Sequence, residues 1–164
     1  MAEAADRARK NGLKALKNVK KVLKTVGWDP EETEEEGVLR VDFSEDNIPI
    51  ADALADVRID YERFLYYLNF REKAPVRYRP ETMEFVTRVN YDLVIGNFEL
   101  NLENGFVRFK SSVDFTGFEL EPPMIRDAIK SAMDAVEDYA DAIVAVMKGK
   151  KKAKKALEDA ESGE

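Results

Sequence analysis

Apolar residues recur at spacings of three and four, or multiples of them, near the start of the chain. Ala5, Ala8, Leu16, Val19, Leu23 and Val26 form this stripe, with Leu13 beside it and lysines in most other places. That period predicts an amphipathic helix over residues 4–26, weakly apolar in its first dozen residues and stopped at Gly27. Asp29 to Gly37 reads as an acidic loop. The period then changes to two. Val38 to Phe43 predicts a first strand. Val57, Ile59 and Tyr61, alternating with Asp56, Arg58 and Asp60, predict a second. Arg63 to Phe70 predicts a third, with Phe64, Tyr66, Leu68 and Phe70 on one face and Leu65 and Tyr67 on the other. A strand that is apolar on both faces is central or lies at an interface.

Pro75 to Pro80 reads as an extended connection, and Pro80 suits the first turn of a second helix running to Tyr91. Met83, Val86 and Val89 face its core side, and Phe85 falls off that stripe. Asn104-Gly105 is a strong hairpin signal, since a type I′ turn needs two positive-φ positions. A two-residue loop sets Leu102 opposite Val107, Leu100 opposite Phe109 and Phe98 opposite Ser111. Asn101 then faces Arg108, and Glu99 faces Lys110. A third helix starts at Pro122-Pro123 and ends near Lys148, with Gly149 after it. Ile125, Ile129, Ala132, Val136, Ala140, Ile143 and Met147 form its stripe.

The element order is therefore α-β-β-β-α-β-β-α. It lacks βαβ alternation, which predicts an α+β fold with an antiparallel sheet covered on one side. Three segments follow: a basic extension of the first helix over 1–13, a single domain over 14–148, and a lysine-rich, mobile tail over 149–164.

Composition narrows the chemistry. The chain has 164 residues, 45% of them hydrophobic, which excludes wholesale disorder. It has no cysteine and no histidine, so thiolate nucleophiles, disulfides, Ser-His-Asp triads and the usual zinc sets are out of reach. Its eight glycines form neither a P-loop nor a dinucleotide fingerprint. Asp42 to Asn47 resembles the opening of a calcium loop. It lacks the sixth-position glycine, and Ala53 stands where the closing glutamate belongs. The carboxylates Asp134, Glu137, Asp138 and Asp141 read as a solvated helix face, and Asp56 and Asp60 as part of a solvated strand row. No catalytic, cofactor or metal residue is expected. No apolar run is long enough to cross a bilayer, and a cytoplasmic protein is expected.

The net charge of −7 conceals a segregation. Residues 1–26 carry a net of +6, residues 148–155 hold six lysines, and residues 27–147 carry −15.

Several of these residues resemble one family. They are Asn90-Tyr91 at the end of the second helix, Gly96-Asn97-Phe98-Glu99-Leu100, then Gly105 with Val107-Arg108-Phe109. Asp114 at a strand end, and Asp138-Tyr139 with Ile143 on the last helix, complete the set. Over roughly residues 14–148 the ordered set resembles the YbjN family of bacterial sensory transduction regulators. The resemblance implies a fold similar to type III secretion chaperones, whose members are typically dimers that hold peptide segments of partners. It also implies a non-enzymatic, regulatory role.

Two partner readings follow. In the first, the chain is a homodimeric adaptor for a protein or peptide, with Tyr67 and Phe85 as the contact residues that a filled core leaves over. The alternative is a nucleic-acid-associated protein that uses the basic first helix and Lys150, Lys151, Lys152, Lys154 and Lys155. A membrane-surface role is not expected, and the acidic body opposes both polyanion readings.

Overall fold

Six antiparallel strands form a sheet in the order β1 (Glu31–Glu32), β2 (Val38–Asp42), β3 (Ile50–Arg58), β4 (Arg63–Lys73), β6 (Phe106–Asp114) and β5 (Asn97–Leu100). The computed structural model describes residues 2–163. The chain runs α1 (Ala2–Thr25), β1 (Glu31–Glu32), β2 (Val38–Asp42), β3 (Ile50–Arg58), β4 (Arg63–Lys73), α2 (Arg79–Asp92), β5 (Asn97–Leu100), β6 (Phe106–Asp114), α3 (Pro122–Met147) and α4 (Ala153–Ser162). The α+β class and the order of the eight expected elements stand. β1, inside the acidic loop, and α4 are additional.

Strand alternation builds the core. Leu39 and Val41, Ala53, Ala55 and Val57, Phe64, Tyr66, Leu68 and Phe70, and Val107 and Phe109 point to one face and are buried there. α1, α2 and α3 lay their apolar stripes on that face. The small side chains of β3 let α1 approach closely, while β4 supplies the aromatic bulk. Phe98 sits at the centre of an aromatic cluster, edge-on to Phe70, Phe109 and Tyr139.

Five expectations change. The second strand ends at Arg58, and Ile59–Tyr61 form a 3-10 turn. The chain must reverse there to reach β4, and Glu62 takes the left-handed conformation (φ 52°) that completes the reversal. Ile59 is buried against α1, and Tyr61 is left exposed. The connection before α2 is likewise a 3-10 turn, over Val76–Tyr78.

The hairpin register is two residues from the expected one. Leu100 faces Val107, Phe98 faces Phe109 and Glu99 faces Arg108. Gly105 has positive φ, and Asn104 does not. The loop spans five residues. Asn101 holds it by accepting the Glu103 and Asn104 N–H groups on Oδ1 at 2.9 and 3.2 Å, and Gly105 N–H on its carbonyl at 2.7 Å. Local side-chain bonds of this kind replace the two-residue turn.

Phe85 is fully buried, whereas Met83 on the expected core stripe is exposed. α2 is rotated so that Thr82, Phe85, Val86 and Val89 point inward.

Finally, the segment expected to be a mobile tail contains α4, which packs on α2 and α3. Ala153 and Ala156 are completely buried.

Candidate functional site

No helix among the described residues covers the second face of the sheet. Arg40, Asp52, Leu54, Asp56, Arg58, Arg63, Leu65, Tyr67, Asn69, Arg108 and Lys110 alternate onto it. Tyr67 on β4 lies near its centre, 8% exposed, because the Arg108 guanidinium sits 4.3 Å from its ring centroid. Such a stack contributes about 0.5–1 kcal/mol at an exposed site. Arg108 Nε donates to Glu99 at 2.7 Å, and Lys110 also donates to Glu99. Burial pushes the Glu99 carboxyl up, but the bonds from Lys110 and Arg108 outweigh it and hold the group below the usual carboxylate range.

On the other side of Tyr67, Asp52 accepts from Arg40 Nε at 3.2 Å and from Asn69 Nδ2 at 2.6 Å. Asp56 accepts from Arg58 Nε at 2.7 Å. Half-buried Leu54 and Leu65 lie between these groups. The face is a lattice of charged pairs over a thin apolar floor. The arginines of these pairs are half-exposed while the Asp52 and Asp56 carboxylates are largely buried, so a partner that displaces Arg40 or Arg58 must itself supply a donor to the carboxylate.

The lattice opens into a groove of about 530 Å³ at the end of the sheet, lined by Arg58, Tyr61, Arg63, Leu65, Ser112, Val113 and Asp114. Arg63 fixes one wall. It donates to the Tyr61 carbonyl at 2.6 Å, to the Thr116 hydroxyl and to Asp114 at 2.9 Å. The groove borders a strand edge. β5 stops opposite Lys110, whereas β6 continues to Asp114. Phe115 N–H donates to the Glu62 carbonyl, so by strand alternation the backbone groups of Ser112 and Asp114 point away from β4. They border no strand. Gly96 turns the chain aside before β5, with φ of 76° where a Cβ would overlap the Phe109 ring. The residues just before it, Tyr91, Val94 and Ile95, are exposed.

The outer side of β5 is closed at Phe98. Asn90 of α2 accepts Phe98 N–H on Oδ1 at 2.8 Å and donates Nδ2 to the Phe98 carbonyl at 2.9 Å.

Of the residues singled out from the sequence, Tyr67 lies on the uncovered face and Phe85 does not. Phe85 is a core side chain on the opposite side of the sheet, so its reading as a contact residue is corrected. The tail lysines are not a free cluster. Lys151 and Lys155 both pair with Asp159, Lys152 pairs with Glu81, and Lys154 lies 4.0 Å from Glu158. Among the described residues Lys150 alone of the five makes no ion pair. Sequence reading missed Arg58, Arg63 and Ser112 as groove residues. The β5 end that exposes Ser112 depends on register, and register was misread.

Residues 15–145 match the family described as "Putative bacterial sensory transduction regulator". The chain belongs to the YbjN family. Two solved structures share its fold. The first is the crystal structure of YbjN from E. coli, described as "a putative transcription regulator". It has a TM-score of 0.57 and 11% identity over 81% of this chain and 89% of that one. The second is a chain of the HopA1–SchA chaperone–effector complex. It has a TM-score of 0.52 and 10% identity over 77% of this chain and 92% of that one. At these identities the likeness concerns the fold alone, which is YbjN-like and shared with a chain of a chaperone–effector complex. A comparison with curated proteins finds no match. Among the described residues no helix is long and apolar enough to cross a membrane.

Proposed function

We propose that this YbjN-family protein is a regulatory adaptor of the cytoplasm that holds an extended segment of a partner protein on the uncovered face of its sheet. The observation that carries the reading is the groove bordered by the unpaired end of β6. An incoming strand there finds the backbone groups of Ser112 and Asp114 in the plane of the sheet, and its side chains on the uncovered face reach over Ser112 towards Leu65 and Arg63 of β4. Adding a strand to a sheet edge is a recurring way to bind peptides: main-chain bonds give affinity, and alternate side-chain pockets give specificity. The groove favours a segment with a long apolar side chain directed towards Leu65 and a carboxylate directed towards Arg63. Tyr67 continues the apolar floor away from the edge. The family's regulatory description and the fold shared with a chaperone–effector complex support a partner-binding role over a catalytic one. Homodimerisation belongs to the same reading, through the exposed Tyr91, Val94 and Ile95 beside the edge.

The test is affinity capture from nuclease-treated lysate with the native chain and with a Leu65→Asp variant, checked for folding by circular dichroism. A protein retained stoichiometrically by the native chain and lost by the variant is the expected result. Equal retention by both places the binding surface elsewhere and removes this reading. Light scattering at micromolar concentration tests the dimer, and a monomer there rejects it.

A further inference from the structure

The lysines of α1 are spaced in a way that helix packing does not require. Arg7, Lys10, Lys14, Lys17, Lys21 and Lys24 follow one another at intervals of three and four, and all six are exposed. At 100° per residue they fall within a sector of about 100°, and no other residue between Arg7 and Lys24 falls inside it. The buried residues Gly12, Ala15, Val19, Val22 and Leu23 lie on the opposite side. The stripe is about 26 Å long at 1.5 Å per residue. Lys14 pairs with Glu119 at 2.6 Å, and no ion pair engages the other five among the described residues. The two cations off the stripe that do pair, Arg9 with Glu36 and Asp60 and Lys20 with Glu32, face the body of the protein. The fold therefore neutralises the inward-facing charges of α1 and leaves one continuous row outward.

We propose that this row binds the phosphate backbone of double-stranded DNA without regard to sequence, independently of the partner site on the sheet. Four ligands have the right charge, and what each requires separates them. Against an acidic polypeptide, five exposed lysine–carboxylate pairs contribute about 0.2–1 kcal/mol each, which barely offsets the ordering of the long side chains. An anionic bilayer attracts the row by about 1 kcal/mol per cation near its surface. That attraction is not reinforced by insertion, because most apolar side chains of α1 are packed in the core and, of the large ones, only Leu13 and the following Val26 are left exposed. Single strands require aromatic platforms, and the stripe has none. A duplex needs only cations, since each neutralised phosphate releases condensed counterions. The acidic body weakens this attraction through Glu62 and Glu119, which lie beside Arg7, Lys10 and Lys14, but its charges beyond a Debye length of about 10 Å at 0.1 M salt are largely screened.

The full-length protein is titrated into a fluorescent 20-bp duplex and followed by anisotropy at several salt concentrations. Five phosphate contacts give a log–log salt slope of about −4.5, an affinity loss of about 500-fold between 50 and 200 mM. Lys17→Glu/Lys21→Glu/Lys24→Glu leaves two cations, so the slope falls to about −1.8 and the loss to about tenfold. Lys150→Glu/Lys154→Glu behaves as the native chain, because α1 rather than the tail makes the contacts. Both variants are expected to fold, their side chains being exposed, and circular dichroism checks this. Absence of binding at low salt, binding unchanged by the α1 reversals, or binding lost with the tail reversals overturns the proposal. Binding to polyglutamate or to anionic phosphatidylserine vesicles, and not to the duplex, overturns it in favour of the other ligand.

Discussion

Asn90 closes the free edge of β5 by giving Phe98 both of the hydrogen bonds that a neighbouring strand would supply. The position is the last full turn of α2, so the helix laid over the core also seals the sheet. A carboxamide is the one short side chain with a donor and an acceptor in the peptide's arrangement. Asn90→Ala leaves both backbone groups of a residue only 1% exposed without partners. It is expected to lower the unfolding free energy by about 2 kcal/mol in urea titration. It should also promote association through the opened edge, visible by light scattering. Unchanged stability would mean that solvent reaches the edge.

Tyr66 and Ser111 face each other across β4 and β6, and both hydroxyls are buried without a hydrogen-bond partner. Burial pushes the Tyr66 phenol above its usual range. Removing an unsatisfied buried hydroxyl while keeping the ring relieves a desolvation cost, so Tyr66→Phe should stabilise the fold by about 1 kcal/mol. Differential scanning calorimetry reads this as a raised Tm, and a lowered Tm rejects it.

Replacing a mid-helix glycine by alanine normally stabilises a helix by about 1 kcal/mol. Gly12 reverses that sign. α1 crosses the 3-10 turn so closely there that a Cβ would overlap the carbonyl oxygen and Cα of Ile59. Both are backbone atoms that cannot turn aside. Gly12→Ala is expected to cost about 1–3 kcal/mol in chemical denaturation, the range for overpacked sites. A neutral or stabilising result would show that α1 can shift.

α4 is attached through carboxylates. Glu81 of α2 accepts Ala153 N–H at 2.8 Å and Lys152 Nζ at 2.9 Å, and Asp159 binds Lys151 and Lys155. The Ala153 amide and Lys152 hold Glu81 below the usual carboxylate range, and Lys151 and Lys155 do the same for Asp159. Because the folded-state values are depressed, their contribution is fully present above the unfolded values near about pH 4. It is lost as pH falls through the folded values. Tm of the native chain should therefore drop below about pH 4 more steeply than that of Glu81→Gln/Asp159→Asn. Parallel acid limbs would show that α4 is held by Ala153 and Ala156 alone.

Phe85→Ala and Tyr67→Ala should separate core from surface. Phe85 is fully buried, and its truncation should cost about 3–5 kcal/mol. Tyr67 is covered by the Arg108 guanidinium rather than by a helix, so its loss should cost distinctly less in the same denaturation series. Equal losses would place Tyr67 within the core.

The hairpin shows what periodicity carries. Side chains alternate with period two, and the observed pairing differs from the expected one by two residues. Every residue that remains in the paired strands therefore keeps its expected face while its partner changes, and Asn101 and Leu102 leave the strand for the loop. Glu99 still binds Lys110, now diagonally, and Arg108 directly. Faces are legible from the sequence, whereas register depended on five loop residues held by Asn101. Phe85 was lost for a related reason. α2 has apolar residues on more than one side, and only the packing of its neighbours selects the buried one. α4 was missed because alanines carry its interface, and their fit depends on close approach rather than on hydropathy.

By itself the sequence determined the α+β class, the order of the eight main elements, the two-faced strand β4 and the family pattern. All of these follow from local period, turn chemistry and residue order. Only the tertiary structure decided the closing of β5 by Asn90, the unpaired end of β6 beside the groove, the inward side of α2 and the pairing of the tail lysines. Each of these depends on contacts between segments distant along the chain, and their geometry is set by how the helices settle on one face of the sheet.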